Sequence, residues 1–437
     1  MLRMRRFCLT VITVLSIFAV SASATMSDWD FYNLCASAKP YEIEEAIREG
    51  ANAAFGVEEY GWTALMNAAR HNPRKEVVEM LVKAGSDVHA VDARGWTALM
   101  LAIRYNPNNE VARELLRVAG DVWAKTVNVM NDEGYTALMY AARNKDALMI
   151  DDLYKAGAVA VMRDHDGASA IMHGAGENPD PLAVKQLSDA SARQAGFDDQ
   201  ARSPMMWAAA RNPDPKILLA LLSKGGNVFA RDNEYASLLM HAAAYNTNPE
   251  VVRAILTAKT LSCQTNPHVR DNHGRNALMY AARFNPNPDI ATLLLQADID
   301  PNYRDPQGRT ALSLAAEENA NPAIIAALVR FGAKVDTKDK EGRDALMYAA
   351  GYNGNPEMTM AVLHSGADVK QKDSHGATAL IYGARYSLCP EVIDVLLNAG
   401  ADPKIKDKQG KRALDYAGAN IQLKGTQEHR RLYQVSR

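Results

Sequence analysis

Two short apolar stripes separated by polar turns recur along most of the chain, and residues 92–125 show the pattern clearly. Asp92-Ala93-Arg94-Gly95 reads as a turn, with glycine available for a positive φ. Thr97 is a natural N-cap, and Ala98 to Arg104 predict a short helix whose small residues at 98 and 102 allow close approach. Asn106-Pro107-Asn108 breaks that helix. A second one is predicted from Asn109 to about Val118, with Val111, Leu115 and Leu116 at helical spacing. Upstream, Ala84-Gly85 is a glycine stop, and Asp87-Val88 leads into the next turn.

The turn-and-cap phrase is Gly61-Trp62-Thr63-Ala64-Leu65-Met66 at its first appearance and Gly95-Trp96-Thr97-Ala98-Leu99-Met100 at its second. It returns near 134, 167, 201, 235, 274, 308, 342 and 376, with a last copy at Gly410. The steps are 34 residues apart from one of 33 and two of 39. A fixed period of this size predicts a stack of small units, each touching only its neighbours. The break between helices repeats as well: Asp180-Pro181, Asp214-Pro215, Asn248-Pro249, Asn287-Pro288, Asn321-Pro322 and Asn355-Pro356 place a capping residue before a proline suited to the first helical position. Residues 25–60 read as an N-terminal capping unit, 61–409 as ten repeats, and 410–437 as a C-terminal cap with a charged helix around Thr426 to Val435. The two long steps begin 140 residues apart, which suggests a duplicated four-unit block. Their extra residues, Val122 to Met130 and Lys259 to Val269, are expected to protrude as two fingers.

This pattern resembles the ankyrin repeat, which has a turn, two antiparallel helices and a Gly-Ala-Asp exit such as Gly366-Ala367-Asp368 or Gly400-Ala401-Asp402. The resemblance covers nearly all of the chain after residue 24. It implies an all-α solenoid of stacked helix-turn-helix units with short hairpin-like turns. The family's Thr-Pro-Leu-His becomes Thr-Ala-Leu-Met here, so a bracing histidine is replaced by apolar filling.

Composition adds bounds. Net charge is −2 with 48% hydrophobic residues, which argues against general nucleic-acid affinity. Arg3, Arg5 and Arg6, an apolar run from Phe7 to Val20, and Ala22-Ser23-Ala24 form a signal-peptide pattern over 1–24. Cleavage after Ala24 is expected, giving an exported bacterial chain near −5, periplasmic or secreted, with no membrane span. Cys35, Cys263 and Cys389 fall several repeats apart, too far for a disulfide. Cys389 replaces the usual Asn or Asp before Pro390; the choice is between simple substitution and a thiol activated by a helix N-terminus.

Candidate binding residues come from the first helix, counted from its cap. Position eight supplies Tyr105, Arg211, Tyr245, Phe284, Tyr352 and Tyr386, and position seven supplies Arg104, Arg283 and Arg385. Position four supplies Tyr140, Trp207, Tyr280, Tyr348 and Tyr382, and the turn tips supply Trp62, Trp96 and Tyr135. Position four reads as scaffold. Position eight and the tips read as partner contacts, because solvent-facing aromatics mark interaction surfaces. Position seven is open between stacking on a tyrosine and meeting a partner's carboxylate. The resemblance implies that partners meet the turn tips and the concave face formed by the first helices.

No phosphate loop, metal-ligand spacing or nucleophile elbow is present. No metal or cofactor is expected, and catalysis is not. The reading is a scaffold that binds a protein partner in the periplasm; the alternative is a secreted effector acting on host proteins. A hydrolase around Asp164, His165, Asp166 and Glu177 is the remaining class, and it lacks a poised nucleophile.

Overall fold

A computed structural model describes residues 26–57, 59–120, 126–190, 196–257 and 266–437. The expected signal peptide, Cys263 and parts of the two expected fingers (122–125 and 259–265) lie outside the described residues. The chain divides into two compact units, residues 1–170 and 171–437.

In the first unit, helices Asp28–Cys35 and Pro40–Arg48 precede a small antiparallel hairpin in which Gly56–Val57 pairs with Trp62–Thr63. Three helix pairs follow: Ala64–His71 with Lys75–Lys83, Ala98–Tyr105 with Asn109–Ala119, and Ala137–Ala142 with Ala147–Lys155. The second unit has eight such pairs among the described residues, from Ala170–Glu177 with Pro181–Ala190 to Ala413–Ala417 with Gln427–Val435.

Local chemistry sets each boundary. Thr97 Oγ1 accepts from the Met100 N–H at 3.2 Å, and Thr63, Thr136, Ser203, Ser237, Asn276, Thr310, Asp344 and Thr378 cap their helices in the same way. The second helices are capped by Asn108, Asp146, Asp214, Asn287 and Asn355. The methionine that follows the cap faces inward in most repeats: Met66, Met100, Met139, Met206, Met240, Met279 and Met347 are all at most 1% exposed. With Leu65, Leu99, Leu115 and their equivalents they form a core shared between adjoining layers, each side chain worth about 1.5–3 kcal/mol of burial.

Buried asparagines at the ends of the first helices tie consecutive repeats together. Asn285 Nδ2 donates to the Ala243 carbonyl at 2.9 Å and the Asn246 carbonyl at 2.7 Å, while its Oδ1 accepts from the Asn287 N–H at 2.9 Å. Asn212, Asn246, Asn319 and Asn353 repeat this in the second unit, and Asn72 and Asn106 in the first. Each rung satisfies a buried amide and two helix-end carbonyls that have no partner in their own helix.

The turns need a left-handed residue before the cap. Gly95 adopts φ +78°, and a Cβ there would sit 2.7 Å from the Asn131 Cα. At the degenerate copies Ala201 and Tyr235 adopt φ of 59° and 65° without being glycine.

Candidate functional site

Beneath most turn tips of the second unit lies a buried aspartate: Asp198, Asp271, Asp305, Asp339 and Asp373. Asp305 Oδ1 accepts from the Gln307 and Arg309 N–H groups at 2.9 and 2.8 Å, closing the turn, and Oδ2 accepts from Arg309 Nε at 2.8 Å. Asp271 and Asp339 do the same with Arg275 and Arg343, and each also accepts the phenol at position four of the next helix. Tyr280 and Tyr348 O–H groups donate to Asp271 and Asp339 at 2.8 Å, and Tyr382 donates to Asp373 at 2.9 Å. Trp207 Nε1 donates to Asp198 at 2.9 Å, and His241 Nε2 lies 2.8 Å from Asp232. Burial together with the adjacent carboxylate pushes the Tyr280, Tyr348 and Tyr382 phenols up. Burial works against the Asp232 carboxylate too, yet the His241 contact and the Ala236 N–H hold it below its usual range. Position four is therefore bracing, in agreement with the scaffold reading.

One turn of the first unit fills the same space differently, while Asp92 keeps the aspartate at the turn before it. Asn131 takes the aspartate's place, and its Nδ2 donates to Tyr140 Oη at 2.8 Å. Trp96 and Tyr135 stand where the second unit has Arg202, Arg275, Arg309 and Arg343. Trp96 stacks on Tyr140 at 5.2 Å between centroids and meets Tyr105 at 5.9 Å, while Tyr135 stacks on Tyr140 at 5.1 Å. Trp96 is only 5% exposed, which corrects its expected place as a solvent-facing tip: the following repeat's Tyr140 covers it. Trp62 and Tyr135 are half-buried.

Position seven resolves toward stacking. Arg104 lies over Trp96, Tyr105 and Tyr140 at 4.9–5.5 Å and also pairs with Glu133 at 3.3 Å. Arg211, which is at position eight because its helix is capped by Ser203, sits 3.9 Å from the Trp207 centroid. Arg283 covers Phe284 at 4.9 Å and forms a two-bond pair with Glu318. Arg385 lies between Tyr386 at 4.8 Å and Tyr416 at 5.0 Å. Neighbouring Glu317 is half-buried, and burial, reinforced by Glu318, pushes its carboxyl up.

Position eight faces solvent. Tyr105 in the first unit is 41% exposed; in the second, Tyr245, Phe284, Tyr352 and Tyr386 are 39–57% exposed. Tyr245 stacks on Phe284 at 6.1 Å and Tyr352 on Tyr386 at 5.5 Å, so adjacent repeats present paired ring faces.

The family model for ankyrin repeats (three copies) matches residues 65–164 and, in overlapping placements, 205–407. The chain belongs to the ankyrin-repeat family. Among curated proteins none matches it. Ankyrin repeats generally mediate protein–protein interaction, and proteins built from them are typically non-catalytic scaffolds.

The ankyrin repeats of the second unit border a hollow of about 620 Å³, lined by Arg202, Trp207, Arg211, Glu234, His241 and Tyr245. Of the residues considered for hydrolysis, Asp164 closes its own turn, its Oδ1 accepting from the Asp166 and Ala168 N–H groups at 3.0 and 2.8 Å, and His165 is exposed at the tip. Cys389 Sγ donates to Glu391 at 2.8 Å, and burial together with that carboxylate pushes the thiol up to about 11. This runs opposite to activation at a helix N-terminus and favours simple substitution. Cys35 is buried and, like Cys389, free. Among the described residues no helix is long and apolar enough to cross a membrane, and no group of three His, Cys, Asp or Glu is placed to hold a metal ion.

Proposed function

We propose that this chain is an exported, non-catalytic scaffold that binds a protein partner through the exposed position-eight rings on the first helices of each unit. The observation that carries the reading is the exposure of those rings. Tyr105, Tyr245, Phe284, Tyr352 and Tyr386 remain well exposed, while the aromatic positions around them are drawn into hydrogen bonds and stacks. Large aromatic rings held rigid by stacking lose little entropy on binding and are the residue type that anchors interfaces. The arginines of position seven keep their planar cations beside these rings, which suits carboxylate or aromatic groups on a partner. Export rests on the leader pattern of residues 1–24, and the periplasm is the proposed location.

Site-specific photo-crosslinking tests the surface. A benzophenone side chain replacing Tyr245 or Tyr352 is expected to yield the same adduct in an envelope extract, and one replacing Leu219, exposed on a second helix, to yield none. Adducts from position 219 alone would overturn the reading. For export, sequencing the N-terminus of the chain from native cells should give Thr25; an intact Met1 in a cytosolic fraction would refute it.

A further inference from the structure

The turns of the first unit and the last turns of the second carry opposite charge. Residues 87–96, 126–135 and 159–168 in the first unit sum to −4, whereas the equivalent 334–343, 368–377 and 402–411 near the end of the second sum to +3, in a chain whose net charge is −2. The surplus is lysine in repeat register: Lys338, Lys372 and Lys406 are 34 residues apart, as are Lys370 and Lys404. Lys338 Nζ donates to the Lys372 carbonyl at 2.9 Å, linking adjacent turns. Lys340, Lys370, Lys372, Lys404, Lys406 and Lys408 are exposed, and no carboxylate among the described residues lies within ion-pair distance of them.

Beside this edge is a cavity of about 310 Å³ bounded by Tyr352, His375, Arg385, Tyr386 and Lys408; Glu341, Asp373 and Asp407 also line it, the last two engaged by the Tyr382 and Tyr416 phenols. Arg385 differs here from Arg283. Arg283 is bound by Glu318, while Arg385 is held by ring faces alone, which leaves its N–H edge for a ligand. Packed helices are spaced by about 8–10 Å, and an extended chain advances about 3.3 Å per residue, so a strand laid along the stack advances about three residues per repeat. Exposed Asp336, Glu341, Asp368 and Asp402 interrupt the lysines, which breaks up the uniform field a polyphosphate backbone requires but leaves room for spaced carboxylates.

We propose that the turn edge of the last three repeats binds an extended acidic segment of a partner protein, with a carboxylate at every third residue and one of them seated on Arg385. This rests on the protein-binding reading above and gives that partner its chemistry.

The test uses the chain from Thr25 onward and fluorescence anisotropy with a labelled (Glu-Ser-Gly)4 peptide, against a peptide of the same composition with its four glutamates contiguous. The spaced peptide is expected to bind about fivefold or more tighter, and its affinity to fall with salt. Lys372→Glu with Lys406→Glu is expected to weaken it about tenfold and Arg385→Ala severalfold, with unchanged helical CD and melting. Equal binding of both peptides, indifference to the charge reversals, or tighter binding to duplex DNA or to anionic lipid vesicles would overturn the proposal. Should the peptide fail while crosslinks form at Tyr245, this edge assignment falls and the position-eight surface stands.

Discussion

In the second unit the space under a turn tip holds an aspartate, an arginine and a phenol joined by hydrogen bonds, as at Asp339, Arg343 and Tyr348. In the first unit the same place holds Asn131, Trp96, Tyr135 and Tyr140 in a ring stack. The asparagine rungs at the other end of the first helix are common to both. One backbone thus tolerates two fillings, one ionic and one aromatic, because a rung whose partners are main-chain carbonyls holds the layers in register regardless of what braces the tip. The ionic filling keeps its charges internal, so the exposed lysines of the later turns set the surface potential there.

The largest effects should come from removing what each unit depends on. Trp96→Ala is expected to destabilise the first unit by about 3 kcal/mol, as for other buried aromatics. Trp96→Arg should lose less, since Asp92 can take up a guanidinium as Asp305 takes up Arg309; a loss as large as that of the alanine variant would show that the two fillings are not interchangeable. Asn285→Ala in the second unit and Asn72→Ala in the first should each cost about 2–3 kcal/mol, because two carbonyls lose their donor in a buried site. Urea midpoints measure all four. Asp305→Asn should cost about 2 kcal/mol, because the turn bonds survive and the charge opposite Arg309 does not. Trp96 variants should respond little to salt and the Asp305 variant should differ from wild type less at high salt. Tyr235→Gly is expected to stabilise by about 1 kcal/mol, since glycine adopts the observed φ of 65° freely.

The smallest effect separates one cap from its equivalents. Burial raises Asp344 to about 6. The folded chain therefore favours the neutral acid, and this contribution is full below the ordinary carboxylate pKa of 3.8 and lost as pH rises through about 6. Asp344→Asn, which copies the cap at Asn276, should remove that dependence and stabilise the chain at pH 7 by on the order of 1 kcal/mol. Thermal melts between pH 4 and pH 7.5 check it; a steeper loss in the variant would refute the burial argument.

Much of the fold was legible because its causes are local. Thr97 announces a cap, Gly95 a left-handed turn, and the methionine after each cap an inward face, all within a few residues. The asparagine rungs were not legible in the same way. Asn106-Pro107 reads correctly as a helix break, but Asn106 donates to Ala69 and Asn72, 37 and 34 residues back, and nothing adjacent in the sequence signals those partners. Trp96 was misplaced at the surface for the same reason, since its cover comes from Tyr140 in the following repeat. Cys389 illustrates a rule overridden by its neighbour: a helix start lowers a thiol pKa in general, whereas here burial and Glu391 raise it. At the candidate site, the exposed position-eight rings were readable from helical spacing alone. The stacking of position-seven arginines depended on rings contributed by other positions and other repeats.

The central claim is that rungs and braced tips carry stability while the position-eight row is held in reserve for a partner. The most direct measurement is the urea midpoint of Tyr245→Ala with Phe284→Ala beside that of Asn285→Ala. The double ring variant is expected to unfold with a stability within about 0.5 kcal/mol of wild type, the range of surface substitutions, against the large drop for Asn285→Ala. A double variant that unfolds as readily as the asparagine variant would contradict it, because those rings would then belong to the core.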